Sequence, residues 1–268
     1  MIAAFKKDTD LVQEMDSLDK NGPGFYCWWL GQSGFLLQWK GKRLLIDPYL
    51  SDSLTKKYAG TDKPHERMSE RVIDPELLRN ISIVTSSHNH TDHLDAETLI
   101  PVLKNNPGIK FIIPEANRRF VSERVQCDSG FPTGLNDGDT VRLDEFTFHG
   151  IPAKHNEIDR DEHGNCRYMG YVIEFGGYKI YHSGDTLWFD ELVEWVKPFS
   201  PDLALLPVNG NKPERRVAGN LDAQEAVKLA KQIGVKQVIP CHYDMFSFNT
   251  ADVNEFIKEA EKQKQLFI

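Results

Sequence analysis

The stretch TSSHNHTDHLD, residues 85–95, places three histidines and two aspartates directly after an apolar run, ISIVTSS, that reads as a buried strand. Such polar side chains do not continue into a core, so the strand has to stop at a sheet edge where a loop can gather them. In His88-Asn89-His90-Thr91-Asp92-His93 the two histidines of the HxH lie two residues apart. Extended backbone puts both on one side, and Asp92 with His93 can then turn back over the same spot. Imidazole and carboxylate are the ligands that hydrolytic metals take, at sites that keep a position open for water or substrate. A polar loop of solvated histidines is the competing reading for any one of these residues, and it weakens when the cluster is taken as a whole.

The order of elements around this cluster points to an α/β protein. Residues 9–19 read as a short amphipathic helix, and GFYCWWLGQSGFLLQWKGKRLLIDPYL supplies three β-rich runs punctuated by Gly31, Gly34 and Gly41, as in a meander. Residues 52–80 are polar and rich in turn formers, longer than an ordinary connection, and are expected to cover a site or to move. Then come the strand before the cluster, a helix over about 95–104, the strand KFIIP and a helix starting near Glu115. From residue 138 the pattern repeats: strands TVRLDEFTFHGIPA, RYMGYVIEF and YKIYHSG, a helix around 189–197, strand LALLPV, helix 222–233, strand VKQVIP and a last helix from 250. Two halves, each a β-meander followed by α/β, predict two sheets flanked by helices within one domain over 1–268, with 1–22 as a helical extension.

Later apolar runs also end in candidate ligands. HGIPAKHNE offers His149 and His155, YHSGDT offers His182 and Asp185, and IPCHYD offers His242. His155 sits at a strand exit and is the better ligand. His149, earlier in the same strand, is the alternative, with a role packed beside the site. Ser183-Gly184 allows a tight turn that brings Asp185 close to an ion, although an aspartate there also suits a turn or a helix cap. His182 reads equally as a buried histidine bonded to backbone.

Taken in order, HxHxDH, a later histidine, the aspartate of SGDT and a final histidine resemble the signature of the metallo-β-lactamase superfamily. WWLGQSGFLL, IDPYLSDSL, YHSGDT and IPCHYDMF look most similar to the branch that contains the L-ascorbate-6-phosphate lactonases. The resemblance implies a four-layer αββα sandwich with a dinuclear metal site. It implies that His88, His90 and His155 hold one ion, that Asp92, His93 and His242 hold the other, and that Asp185 bridges. Asp47 of LLIDPYL would brace the ligand loop without binding metal. Zinc or manganese is expected, with iron a further candidate. Two such ions can share a hydroxide that attacks a carbonyl or phosphoryl centre. His182 or Asp92 would then carry a proton to the leaving group, and Tyr243 or Asn209 would donate to an oxyanion. The catalytic expectation therefore rests on Asp92, His182 and Asp185.

Composition narrows the partners. A formal charge of -8 over 268 residues gives no electrostatic reason to track nucleic acid. The first twenty residues lack the apolar core of a signal peptide, and no stretch approaches the ~20 apolar residues of a membrane span. A cytoplasmic location is the expectation. Cys27, Cys127, Cys166 and Cys241 form no CxxC pair, so reduced, packed thiols are expected rather than a zinc knuckle or disulfides. The substrate is expected to be a small lactone or ester. If it is phosphorylated, Lys212, Arg215 and Arg216 in VNGNKPERRVAGN, with the helix start near Asn220 to Ala223, are the candidates to receive the phosphate. A solvated charged loop is the alternative. His65 and Arg67 in the long polar segment are candidates to close over substrate. Hydrolysis of a small or lipid phosphodiester and a metal-stabilised module without turnover are the rival functions. Association into homo-oligomers stays open.

Overall fold

The computed structural model describes residues 1–268, which divide into two compact units. The first comprises Met1–Ile113, Arg118–Thr133 and Asp244–Phe248, and the second Pro114–Asn117, Gly134–Tyr243 and Asn249–Ile268.

The first unit opens with α1 (Asp8–Ser17), then β1 (Tyr26–Gly31), β2 (Gly34–Trp39) and β3 (Lys42–Ile46), an antiparallel meander. After α2 (Ser53–Lys57) come β4 (Ile81–Thr85), α3 (Ala96–Asn105), β5 (Lys110–Pro114) and α4 (Arg118–Val125), and β6 (Thr133–Leu135) ends the sheet order β1-β2-β3-β4-β5-β6. β3, β4 and β5 pair in parallel, so helical crossovers follow, and the strands read as apolar runs because both faces are covered. The core includes Leu36, Leu45, Val84, Leu99, Val102, Phe111 and Val121.

The expected N-terminal extension is part of this unit: Leu11 and Met15 of α1 are buried in the same core. Arg43 fastens the helix from below. Only 5% exposed, its guanidinium donates to Gln38 Oε1 (2.7 Å), Arg79 O (3.1 Å) and Asp16 Oδ1 (2.6 Å), while Gln38 Nε2 donates to Met15 O (3.0 Å). The long polar segment is likewise stitched down. Arg67 bridges antiparallel to Phe246, Met68 N donates to Met245 O and Ser247 N to Glu66 O. Residues 66–68 therefore meet the return segment 244–248 as a strand pair does, with backbone hydrogen bonds that a sequence pattern does not reveal.

The second unit contains β7 (Thr140–Leu143), β8 (Phe146–Pro152), β9 (Met169–Phe175), β10 (Tyr178–His182), α5 (Leu192–Val196), β11 (Leu203–Pro207), α6 (Ala223–Ile233), β12 (Gln237–Cys241), α7 (Val253–Gln263) and β13 (Leu266–Phe267). Its sheet order is β13-β12-β11-β10-β9-β8-β7, antiparallel from β7 to β10 and parallel from β10 to β13. α6 begins with a capping box, in which Asp222 accepts from Glu225 N and Glu225 reaches back to Asp222 N, and ends at Gly234 in the left-handed region. Its apolar stripe of Ala226, Val227, Leu229, Ala230 and Ile233 joins Tyr181, Leu206 and Phe256 in this unit's core. Both sheets are thus mixed and flanked by helices, as the repeated pattern predicts; the short β6 and β13 and the bracing at Arg43 lie outside that prediction.

Replacing Arg43 with Met keeps the aliphatic packing but strands Gln38 Oε1 and the Arg79 carbonyl. The expected loss is about 1–3 kcal/mol of unfolding free energy, read as a lower urea midpoint at unchanged slope. An unchanged midpoint would show that α1 is not held through this guanidinium.

Candidate metal centre

Each unit carries its own constellation of ligand-type side chains at strand ends. In the first, β4 stops at Thr85 and the chain bends through Ser86 and Ser87 into the histidine loop. Asp47, at the end of β3 and fully buried, is the hub. Its Oδ1 accepts from Thr85 Oγ1 (3.0 Å) and Ser87 N (3.0 Å), and its Oδ2 accepts from the Ser87 hydroxyl and stands 2.8 Å from His93 Nδ1. With Nδ1–H given to this carboxylate, His93 keeps Nε2 as the nitrogen that could coordinate an ion. The rings gather tightly: His88 lies 4.0 Å from His93 and 4.7 Å from His90 between centroids. His88 with His90, and Asp92 with His93, each present ligand atoms within 4.8 Å of one another.

Two groups that sequence reasoning missed secure this loop. Arg124 of α4 donates to Asn89 O (2.9 Å) and Leu94 O (3.4 Å), clamping the loop backbone before His90 and after His93, and burial lowers its pKa. Gln32, in the turn between β1 and β2, donates from Nε2 to Asp92 Oδ2 (2.8 Å). Neither has a local signature; only the Gly-Gln-Ser-Gly turn marks Gln32 as special.

In the second unit Asp185 follows β10 through Ser183-Gly184, and its Oδ2 lies 3.3 Å from His242 Nε2 and 3.8 Å from His155 Nε2. All three are 2–3% exposed. His155 Nδ1 contacts Gly219 O (3.1 Å), which again turns Nε2 toward the carboxylate. Lys154 is tied to the Asp185 turn from both sides, its N to Thr186 Oγ1 (3.0 Å) and its O to Leu187 N (2.6 Å). Two donors held about 2.0–2.1 Å from one tetrahedral ion stand roughly 3.3–3.4 Å apart, so the Asp185–His242 spacing fits a shared cation. A buried carboxylate flanked by two imidazole nitrogens is a donor set for zinc, manganese or iron.

The other sequence candidates have these surroundings. His149 contacts Thr140 Oγ1 through Nδ1 (2.9 Å), lies 3.5 Å from Glu174 through Nε2 and packs on Phe199. His182 is enclosed at the end of β10. Arg215 donates to Asn209 O (2.7 Å), Asn249 Oδ1 (2.9 Å) and Thr250 O (2.5 Å), while Asn209 donates to Asn249 Oδ1 and accepts from Asn220. Both residues are thereby engaged in holding the 209–222 loop whose Gly219 carbonyl meets His155. Lys212 is exposed, Arg216 takes a left-handed backbone (φ 50°), and Tyr243 packs at the edge of the second unit's core. In the first unit His65 stacks on Tyr58 (4.4 Å), and Arg67 Nε donates to Asp52 Oδ1 (2.7 Å). Cys241 is a buried strand residue paired with Pro207, and burial pushes the Cys166 thiol up to about 12.

The chain matches the model of a β-lactamase superfamily domain over residues 42–243, a span that runs through both units. It is 32% identical over 244 residues to a UPF0173 metal-dependent hydrolase of Alkaliphilus metalliredigens, covering 90% of this chain and 94% of that one. A second protein of that description, from Rubrobacter xylanophilus, is 31% identical, with 87% and 88% covered. Among solved structures, a metallo hydrolase from the archaeon Ignicoccus hospitalis aligns with a TM-score of 0.63 at 25% identity, covering 90% and 92% of the two chains. An isothiocyanate hydrolase from Delia radicum gut bacteria aligns with a TM-score of 0.71 at 20% identity, covering 91% and 95%.

The approach of β9 to the Asp185 turn leaves no room for a side chain. A Cβ on Gly170 would lie 2.8 Å from both His182 O and Ser183 O. Gly170→Ala is therefore expected to cost about 1–3 kcal/mol and to lower metal retention by shifting the turn. Urea unfolding and elemental analysis check both; wild-type values in the two would show that the turn has slack.

Proposed function

Since this chain belongs to the metallo-β-lactamase superfamily, shares its fold and is a metal-dependent hydrolase, we propose that it hydrolyses a small lactone or ester at a two-metal centre. The supporting observation is Asp185 Oδ2 between His155 Nε2 and His242 Nε2, the arrangement a bridging carboxylate requires. On this reading His88, His90 and His155 hold one ion, and Asp92, His93 and His242 the other. Bound there, a pair of divalent ions supplies a water acidified toward neutral pH and positive charge facing a developing oxyanion.

The protein's own groups do the rest. Asp47 and Gly219 O engage Nδ1 of His93 and of His155, so each ring keeps Nε2 for an ion. A proton passed to the leaving oxygen travels on a carboxylate oxygen of Asp92, the more accessible candidate, with a side chain 15% exposed against the 1% of the whole His182 residue. His182, enclosed at the end of β10, is the less accessible of the two. The lactonase branch is the part of the superfamily this reading favours, without a phosphate on the substrate: Arg67 is paired with Asp52, and Arg215 is committed to the 209–222 loop. The loop's other cations, Lys212 and Arg216, are too few for a built phosphate cradle.

Elemental analysis of protein purified without chelator is expected to give about two ions per chain, as in two-metal hydrolases. Asp185→Asn is expected to bind less metal and to lose about 100-fold or more in kcat/KM on simple lactones. Absence of metal even after reconstitution would refute the mechanism. Faster turnover of bis-p-nitrophenyl phosphate than of any lactone or ester would replace the substrate class with phosphodiesters.

A further inference from the structure

Gln32 occupies an unusual place for a glutamine. It is 3% exposed, lies in the turn joining β1 to β2, and has a left-handed backbone (φ 51°) directly after Gly31 (φ 96°). The pairing of β1 with β2 shifts register between Trp29 and Gly31, so the turn is bulged out of the regular ladder. Its conformation is fixed from two directions. Trp29 Nε1 donates to Gln32 O (2.9 Å), and Met245 packs so close to Gly31 that a Cβ there would stand 2.5 Å from its methyl carbon. A left-handed glutamine, a bulge and a closely packed glycine in one turn amount to a considerable local constraint for a hairpin. What the constraint achieves is the aim of one side chain: Nε2 donates to Asp92 Oδ2 at 2.8 Å.

We propose that Gln32 is a positioning residue for Asp92, holding its carboxylate in the orientation in which it serves the metal centre; this rests on the reading of Asp92 as a ligand given above. A primary amide suits the task. Facing a carboxylate, only its N–H end is attractive, which settles which way the amide points. Being neutral, it orients the carboxylate without neutralising it, whereas Lys or Arg in its place would compete with a cation for the same charge. An oxygen that accepts one N–H keeps a second lone pair. The His93–Asp47 pair orients an imidazole through its far nitrogen; Gln32 does the corresponding work on a carboxylate, from a different strand pair.

The test is titration of the metal-free full chain with zinc and with manganese against a chromophoric competing chelator, for wild type, Gln32→Leu, Asp92→Asn and the double variant. Gln32→Leu removes the donor at similar volume. It is expected to weaken one of the two binding events by about 10–100-fold, leave the other in place, and keep the metal-free melting temperature of wild type. In the Asp92→Asn background it is expected to add less than about twofold, because the two changes remove one interaction. Wild-type affinity for both ions in a folded Gln32→Leu protein would overturn the proposal, as would an equal loss with and without Asp92. If Gln32→Leu does not fold, Gln32→Asn carries the same test, since it keeps an amide in the turn but falls one methylene short of Asp92. A wild-type chain that binds neither ion would overturn the two-metal reading and this proposal together. Binding by wild type with no response to Gln32 would overturn this proposal alone.

Discussion

The Asp47 carboxylate holds the first unit's histidine loop in place. A fully buried charge is costly unless hydrogen bonds replace its hydration, and here Thr85, Ser87 and His93 supply them. The backbone of Asp47 is itself left-handed (φ 40°), a conformation worth about 1–3 kcal/mol of strain in a non-glycine residue, although aspartate tolerates it better than most. A chain accepts such a residue only where neighbouring contacts over-determine it. β3 delivers Asp47 and the adjacent parallel strand β4 delivers Thr85 and Ser87, so the sheet brings both partners to one edge without a flexible loop. The direction of His93 Nε2 follows from that pairing.

The second unit reaches the same result by other means. Its imidazole is oriented by a main-chain carbonyl, Gly219 O, and its carboxylate by a turn squeezed against Gly170. A carbonyl brace is only as firm as the loop that carries it, which gives Arg215 its place. By tying Asn209, Asn249 and Thr250 together it stiffens the loop leading to Gly219. A cation that sequence reasoning offers to a substrate phosphate is thus engaged inside the protein, and the same holds for Arg67. The sequence shows that these charges exist; whether a charge faces outward depends on acceptors tens of residues away.

The same distinction governs what was legible in the chain. Strand-end clusters such as His88–His93, Ser183–Asp185 and Cys241–Tyr243 stand out because an apolar run stops abruptly at polar residues, and the run also defines the strand. The alternation of meander and α/β in two halves is legible for the same reason: periodicity is local. Arg124, Gln32, Gly170 and Gly219 are not legible, since each acts through contacts with backbone or side chains that the local sequence does not name: Arg124 lies in a helix, Gln32 in a turn, Gly170 in β9 and Gly219 in a loop. The polar segment 52–80 illustrates the limit most clearly. Its composition suggests an open excursion, yet its partners at 245–247 lie almost 180 residues further on, and their hydrogen bonds leave no trace in hydrophobic pattern.

That pairing also explains why a left-handed glutamine can persist in the β1–β2 turn. Immediately after His242 and Tyr243 the chain returns to the first unit, where Met245 accepts from Met68 N through its carbonyl and lays its side chain over Gly31. Arg67, 8% exposed at its side chain, closes the arrangement by reaching the Met245 sulfur (2.8 Å) and stacking over Tyr49. Gly31 therefore has two independent reasons to lack a side chain: its φ of 96° and the methionine above it. With Gly31 pinned, Gln32 cannot relax toward an ordinary turn without lifting Met245, and lifting Met245 breaks the strand-like pairing of 66–68 with 244–248. The strain in the turn is thus balanced by packing and backbone hydrogen bonds some distance from Asp92, so the aim of a single carboxylate is stabilised by a whole layer of the first unit.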